Sequence, residues 1–504
     1  MNTHTVGTGV AIIICGFLWR LYYAANFYLN PDEALHYMVA AHDWRGLVGF
    51  YQTATRVLHP PLFIIVLREV LLFGHSERML RLVPLVAGAL FPWFVMLWVR
   101  RFAGNAAGLC AQLLLTFSPT LIDLSTEVRA YTLAFLFLSI SLVLLEEALD
   151  RGRTGYMAWF ICFLYLAILT EYCVAWFAVA LGIYALIRLW RSPGPRGVRI
   201  VWIVGQLGAL GIYVFLYVTQ VLRSSHSGLL GMYDTWLRGG FPQLNQHLVV
   251  FALKGSFRQF KYMLQIPLLA LLGAIAFPYG LYQLWRNKAP LYAVLIILPF
   301  FVACLGAILR VFPFGATRHT AILGIAIATS LGAVVASITR NRVLPILVAA
   351  VPMILVWNLL AIDLDQTIPR YRRQLSSMRE AIQFLQNDVP SGSVIVTDGG
   401  TDHILGYYLR CPDYDYHTSD EPYRMRQCAK LSIVIAPPYE FGGLAELRET
   451  LSQVEEKYHL DQPVWVVAGG FDINVSNPVS ISRPFGKTIA VFRSSDWPAA
   501  LATQ

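Results

Sequence analysis

Asp32 and Glu33 stand side by side just past the first long apolar segment, in the run Asn30-Pro31-Asp32-Glu33-Ala34-Leu35-His36-Tyr37. Adjacent carboxylates near a histidine and a tyrosine can take a proton from a hydroxyl. His59 follows in His59-Pro60-Pro61-Leu62. Two prolines fix φ and keep the preceding residues out of a helix, so the imidazole is presented rigidly. Glu127-Val128-Arg129-Ala130-Tyr131, Glu171-Tyr172 and Arg318-His319 come later in the chain. Guanidinium groups match phosphate geometry, and an arginine at a helix start after Pro313 and Gly315 suits an anion. These residue types fit base chemistry on a hydroxyl beside a phosphate-bearing substrate.

Each group also has a plainer reading. Asn30 is a good N-cap, Pro31 is favoured at the first helical position, and acids suit a first turn. A cap explains one acid but leaves His36, Tyr37, Tyr51 and His59 unexplained. His59-Pro60-Pro61 also reads as a rigid helix entry, and Glu171-Tyr172 as a hydrogen-bonded turn between helices. Glu127, Arg129 and Tyr131 cannot share one helical face, because residues two apart point about 200° apart. Either one of them meets the headgroups or the segment starts irregularly. Arg129 snorkels if it faces outward and clamps phosphate if it faces inward.

The elements that must position these residues are membrane helices. The chain has 504 residues, 57% of them hydrophobic. Apolar runs of roughly 20 residues, each long enough to span a bilayer, recur up to Ile362. Eleven spans are predicted, at about 8–27, 82–99, 105–124, 131–149, 155–170, 172–189, 199–220, 263–285, 289–309, 319–338 and 343–361. Arg100/Arg101, Arg151/Arg153, Arg191/Arg196/Arg199, Arg286/Lys288 and Arg340/Arg342 fall in alternate short connections. The positive-inside rule makes those connections and the N-terminus cytoplasmic. Segment 61–74 is apolar but short and carries Arg68 and Glu69. Crossing there would invert every later connection, so it is expected to lie at the interface inside a first outer loop, 28–81. A second large outer loop, 221–262, adds Arg223, Arg238, Lys254, Arg258 and Lys261. The candidate residues then gather on the outer face. The first apolar segment reads as an anchor, without a small-residue cleavage site.

The net charge of +9 is spread as punctuation between apolar helices and forms no continuous stripe, which excludes a nucleic-acid partner. Residues 363–504 alternate helix and strand patterns. Tyr371–Asn387, 401–410 and 444–458 read as helices, and SVIVT, LSIVIA, VWVVA and TIAVF as strands. That rhythm predicts a small α/β domain with a largely parallel sheet. Asp398-Gly399-Gly400 is neither a dinucleotide fingerprint nor a P-loop and reads as a turn. Five of the seven cysteines lie in apolar helices. Cys411 and Cys428 lie in the soluble region, where a disulfide and two free thiols are both open. No metal-ligand spacing, nucleophile elbow or internal repeat is found.

The order of motifs resembles a family. An acidic pair in the first outer loop precedes a basic-Pro-Pro-Leu entry to a short helix. Gly74-His75-Ser76-Glu77 and Arg81-Leu82-Val83-Pro84 follow. Then come Arg100-Arg101-Phe102-Ala103-Gly104 and an outer turn with Ser118-Pro119 and Glu127-x-Arg129-x-Tyr131. This resembles the GT-C membrane glycosyltransferases of family 39, relatives of the protein O-mannosyltransferases and lipid A aminoarabinose transferases, over roughly residues 8–340. It implies a GT-C-like transmembrane catalytic domain over 1–362, with the extracytoplasmic region 363–504 outside the shared core. It implies inverting transfer of a sugar from a polyprenyl-phosphate donor to a lipid, glycan or protein hydroxyl, among membrane lipids, at the outer face of a bacterial inner membrane. Asp32, with Glu33 beside it, would be the base. Arg129, Arg318 and His319 would meet the donor phosphate. His36, Tyr37, His59, Glu127, Tyr131, Glu171 and Tyr172 would line the substrate site. No cofactor is implied, although an acidic pair holds a divalent ion in some GT-C oligosaccharyltransferases. His59 stands where the aminoarabinose transferases have lysine, which argues against lipid A phosphate as acceptor. A polyprenyl-lipid flippase, a polysaccharide polymerase or ligase, and a membrane scaffold are the competing classes. A flippase would carry ionisable groups at helix midpoints, whereas the charges here cluster at helix ends.

Overall fold

The computed structural model describes residues 3–53, 59–192, 194–222, 237–287, 289–343, 346, 348–350, 352–354, 356–358, 374–411, 423–437, 444–459, 464–469, 483–484 and 489–493. Arg223, Lys288 and the boundary expected at 362/363 lie outside the described residues. The chain packs as two compact units that do not follow chain order. One comprises Met1–Tyr22, Thr55–Val66 and Arg81–Asp365, the other Tyr23–Ala54, Leu67–Leu80 and Gln366–Gln504.

The first unit is helical. Among the described residues, eight helices are long and apolar enough to cross a membrane. The span expected at 105–124 is instead broken into Asn105–Phe117 and Pro119–Ser125, bent by 60°. Pro119 causes the break: proline drives the residue before it out of the helical region, and Ser118 has ψ 122°. Shorter apolar helices, Thr154–Thr170 and Val348–Asn358, occupy two further expected spans. Gly104, at φ +89°, turns the chain between Leu82–Ala103 and Asn105–Phe117, where a Cβ would strike the Asn341 side chain. Arg20 is fully buried and ties the first helix to the short one by donating from Nε to Ser125 Oγ at 2.8 Å. Glu146 lies about 22 Å along the helix from Tyr131. It accepts from Tyr184 and Tyr292 hydroxyls at 2.7 and 2.9 Å and pairs with Arg188. A buried carboxylate needs such partners, so this cluster locks helix ends remote from Tyr131.

The second unit contains a six-stranded sheet: β1 (Val394–Thr397), β2 (Arg424–Cys428), β3 (Leu431–Ile435), β4 (Trp465–Gly469), β5 (Arg483–Pro484) and β6 (Ile489–Arg493), in the order β2-β3-β1-β4-β6-β5. The sheet is mixed, which corrects the expectation of a largely parallel one. Its centre is parallel, with Val396 opposite Val434 and Val466. Its flanks are antiparallel. A two-residue reversal at Ala429-Lys430 can only return antiparallel. β2 escaped notice because Arg424-Met425-Arg426-Gln427-Cys428 is a polar edge strand. Val396, Val434, Val466, Leu447, Leu451 and Val454 form the core between sheet and helix Leu444–Tyr458.

The same unit holds the helix Pro31–Ala41, packed on the helix Gly399–Tyr408. Asp398 caps the latter by accepting from the Thr401 N–H at 2.7 Å, so the Asp-Gly-Gly run is a helix start. The segment expected to lie at the interface contains only a short helix, Leu62–Leu71.

Candidate functional site

In the first unit, side chains from four separate chain segments converge near Tyr131. This fully buried residue opens the helix Tyr131–Arg151. Residues 126–130 before it are irregular, which is the second of the two alternatives the Glu127/Arg129/Tyr131 spacing left open. Arg129 therefore points inward and is 2% exposed, which settles it as buried rather than snorkelling. Its Nε lies 3.9 Å from Glu127 Oε2. Arg318 and His319 open the tight turn Arg318–Leu323 that leads into Gly324–Ile338. His319 Nδ1 is 3.4 Å from the Tyr131 hydroxyl, and its ring meets Tyr131 and Phe312 edge-on. Glu171 breaks the helix Thr154–Thr170 and caps the turn Tyr172–Val174 by accepting from the Tyr172 N–H at 3.1 Å. Its second oxygen lies 3.4 Å from His59 Nδ1. Tyr172 donates its hydroxyl to Gln220 at 2.7 Å. The charges of Arg318, Glu171 and Arg129 all reach the Tyr131 phenol.

Sequence reasoning missed two residues beside this cluster. Tyr262 senses Asp123, Arg318 and Glu127 from the helix Leu248–Leu264. Gln259 donates to the Thr320 carbonyl at 2.9 Å and ties that helix to the Arg318 turn. Neither residue carries a motif; amphipathic spacing on Leu248–Leu264 was the only signal available.

Asp32, Glu33, His36 and Tyr37 belong to the second unit. Glu33 is fully buried in a capping box. Its carboxylate accepts from the Asn30 N–H at 2.9 Å, and Asn30 Oδ1 accepts from the Glu33 N–H at 2.8 Å. Asp32, at the neighbouring position, is only half-buried. His36 is buried, and Tyr37 packs edge-on against Tyr407 and His75. From the facing helix, the buried His403 ring meets the Pro31 carbonyl and senses Asp32 and Arg426. Burial pushes its pKa down to about 4, so it is neutral near pH 7. Among the described residues, no group of three or more His, Cys, Asp or Glu is placed to hold a metal ion.

Among the described residues, eight helices long and apolar enough to cross a membrane, with a mixed α/β region after them, define a polytopic membrane protein of the GT-C glycosyltransferase fold. A family model described as dolichyl-phosphate-mannose-protein mannosyltransferase matches residues 58–217. No curated protein matches the sequence. Among solved structures, ArnT from Cupriavidus metallidurans bound to undecaprenyl phosphate is similar at 17% identity and TM-score 0.57, over 98% of this chain and 99% of that one. The apo form of the same protein gives 17% identity and TM-score 0.53, over 96% and 97%. The oligosaccharyltransferase of Archaeoglobus fulgidus in the apo form gives 11% identity and TM-score 0.52, over 92% of this chain and 69% of that one. The likeness to ArnT covers 98% of this chain and so runs on into the C-terminal region.

Proposed function

We propose that this protein is an inverting glycosyltransferase. It moves a sugar from a polyprenyl-phosphate donor to a hydroxyl of a lipid, glycan or protein acceptor. The observation that carries this reading is the buried Arg129, with Arg318 and Glu171, converging on one tyrosine in a chain of glycosyltransferase fold. A buried cation fixed before substrate arrives is suited to charge that develops on a leaving phosphate. That ArnT is recorded with undecaprenyl phosphate supports the choice of carrier.

In the proposed reaction the acceptor oxygen attacks the sugar C1 from the face opposite the phosphate. The C1–O bond to phosphate breaks, the polyprenyl phosphate leaves with the electron pair, and configuration inverts. Asp32 takes the acceptor proton as the new bond forms. Arg129 and Arg318 bind the phosphate, and His319 orients Tyr131 beside them. We assign Glu33 to the cap. That role removes one of the two carboxylates a divalent ion at Asp32 and Glu33 would use, and no cofactor is part of the proposal. We place the C-terminal region on the periplasmic face and the N-terminus in the cytoplasm, in line with the arginine-rich connections and the Cys411–Cys428 disulfide.

The test uses purified wild type and Asp32→Asn with a panel of undecaprenyl-phosphate monosaccharides and a broad envelope extract as acceptor source. Carrier release by wild type, with equal donor binding but no release by Asp32→Asn, supports the proposal. Donor binding without release by either protein would move a lipid-binding or flippase role ahead.

A further inference from the structure

One edge strand of the sheet grips both ends of the helix that packs on the acidic helix. Arg426 and Cys428 are two residues apart on β2 and so face the same side. Arg426 donates to Asp402 Oδ1 from Nε at 2.9 Å and Nη2 at 2.5 Å, and from Nη1 to the Cys411 carbonyl at 2.8 Å. Asp402 sits in the first turn of Gly399–Tyr408 and is fully buried, so this guanidinium is the charge that holds it. Cys411 follows the other end of the helix, where its N–H donates to the Gly406 carbonyl at 2.9 Å. It is joined to Cys428 by a disulfide with Cα atoms 5.6 Å apart.

The gripped helix contacts the acidic segment along its length. Tyr408 Oη accepts from the Leu29 N–H at 3.2 Å. His403 meets the Pro31 carbonyl and senses Asp32. The Tyr407 ring stands edge-on to Tyr37 with centroids 4.8 Å apart. Gly406 is so close to Met38 that a Cβ would fall 2.8 Å from its terminal carbon. These contacts bracket Asp32 on both sides, so a shift of the gripped helix moves the carboxylate with it.

We propose that β2 is a positioning clamp for Asp32, with Arg426 and the Cys411–Cys428 disulfide as its two grips and His403 as the contact beside the acid. The clamp makes the C-terminal region part of the catalytic machinery. It rests on the reading of Asp32 as the base, and its residues are positioning residues that act through the acidic helix. A displacement of about 1 Å at a reacting group can cost about a hundredfold in rate.

The experiment compares full-length Arg426→Ala, Arg426→Lys and Cys411→Ser/Cys428→Ser with wild type and the exposed control Arg448→Ala. It measures hydrogen exchange across 31–41 and kinetics of carrier release from undecaprenyl-phosphate monosaccharides. The clamp predicts exchange across 31–41 about tenfold faster in Arg426→Ala and the serine variant. It also predicts kcat lower by about ten- to a hundredfold with donor KM within about threefold. Arg426→Lys should recover part of both losses, and it carries the test with the serine variant if Arg426→Ala does not fold. Unchanged exchange across 31–41, or a KM effect without a kcat effect, would overturn the clamp. Faster exchange in a protein whose wild type turns over no donor would support the clamp and count against glycosyl transfer.

Discussion

Glu33 accepts a hydrogen bond from the backbone N–H of Asn30 at 2.9 Å, and Asn30 Oδ1 in turn accepts from the Glu33 N–H at 2.8 Å. This reciprocal pair separates two acids that stand next to each other in sequence. Glutamine can make the same reciprocal bond. Glu33→Gln is therefore expected to keep stability and most of the turnover, while Glu33→Ala loses about 0.5–2 kcal/mol of stability. Asp32→Asn is expected to keep stability and lose turnover. Thermal unfolding beside carrier release checks all three, and an inactive but stable Glu33→Gln would reverse the assignment of the two acids.

Arg129 is buried in an irregular stretch that points it inward. Arg129→Ala is expected to lower kcat by roughly 10²–10³, the range for removing one donor to developing charge. Arg129→Lys should recover little, because an ammonium does not reproduce the planar fork. Binding of undecaprenyl phosphate measured alongside kinetics tests this. A lysine variant with full activity would show that only the charge matters.

Glu171 and His59 pair at 3.4 Å, and the Glu171 side chain is almost wholly buried. If they act as a unit, Glu171→Gln and His59→Ala will not add. The coupling in a double-mutant cycle on turnover is expected at about 1–2 kcal/mol. Strict additivity would mean that the two residues serve the site separately.

His403 is held neutral by burial, with its pKa pushed down to about 4 from 6.5, while Asp32 raises it and Arg426 lowers it. Between those values the unfolded chain binds a proton that the folded unit refuses, so stability rises with pH through this window. The contribution is present above about 6.5 and is lost as pH falls towards 4, up to about 3 kcal/mol. Burial pushes Asp402 the other way, so its effect has the opposite sign. The difference between wild type and His403→Gln isolates the histidine. Exchange across 399–408 should quicken on acidification in wild type and much less in the variant.

The membrane elements were legible because a bilayer demands length and apolarity, and both are local. The apolar runs, the short helix at 62–71 and the Asn30 cap could each be read from a few consecutive residues. The break at Ser118-Pro119 was equally local, but hydropathy alone ran through it. β2 and the mixed sheet were hidden, because a polar edge strand is defined by its partner rather than by its own pattern.

At the site, sequence supplied residue types and tertiary structure decided their burial and their partners. Asp32, Arg129 and Arg318 stood out because charges beside apolar helices are costly and rarely idle. The spacing of Glu127, Arg129 and Tyr131 left two alternatives, an irregular start or one residue facing the headgroups. Which way Arg129 faces, which acid the cap occupies and which side chains answer Tyr131 depended on residues far away in the chain. His59 and Glu171 are more than a hundred residues apart, and Arg20 and Ser125 are 105 apart. The link from Arg426 through Asp402 and His403 to Asp32 had no local signal either. Local sequence sets propensity and hydropathy, whereas burial and ion pairing are decided only when distant segments pack.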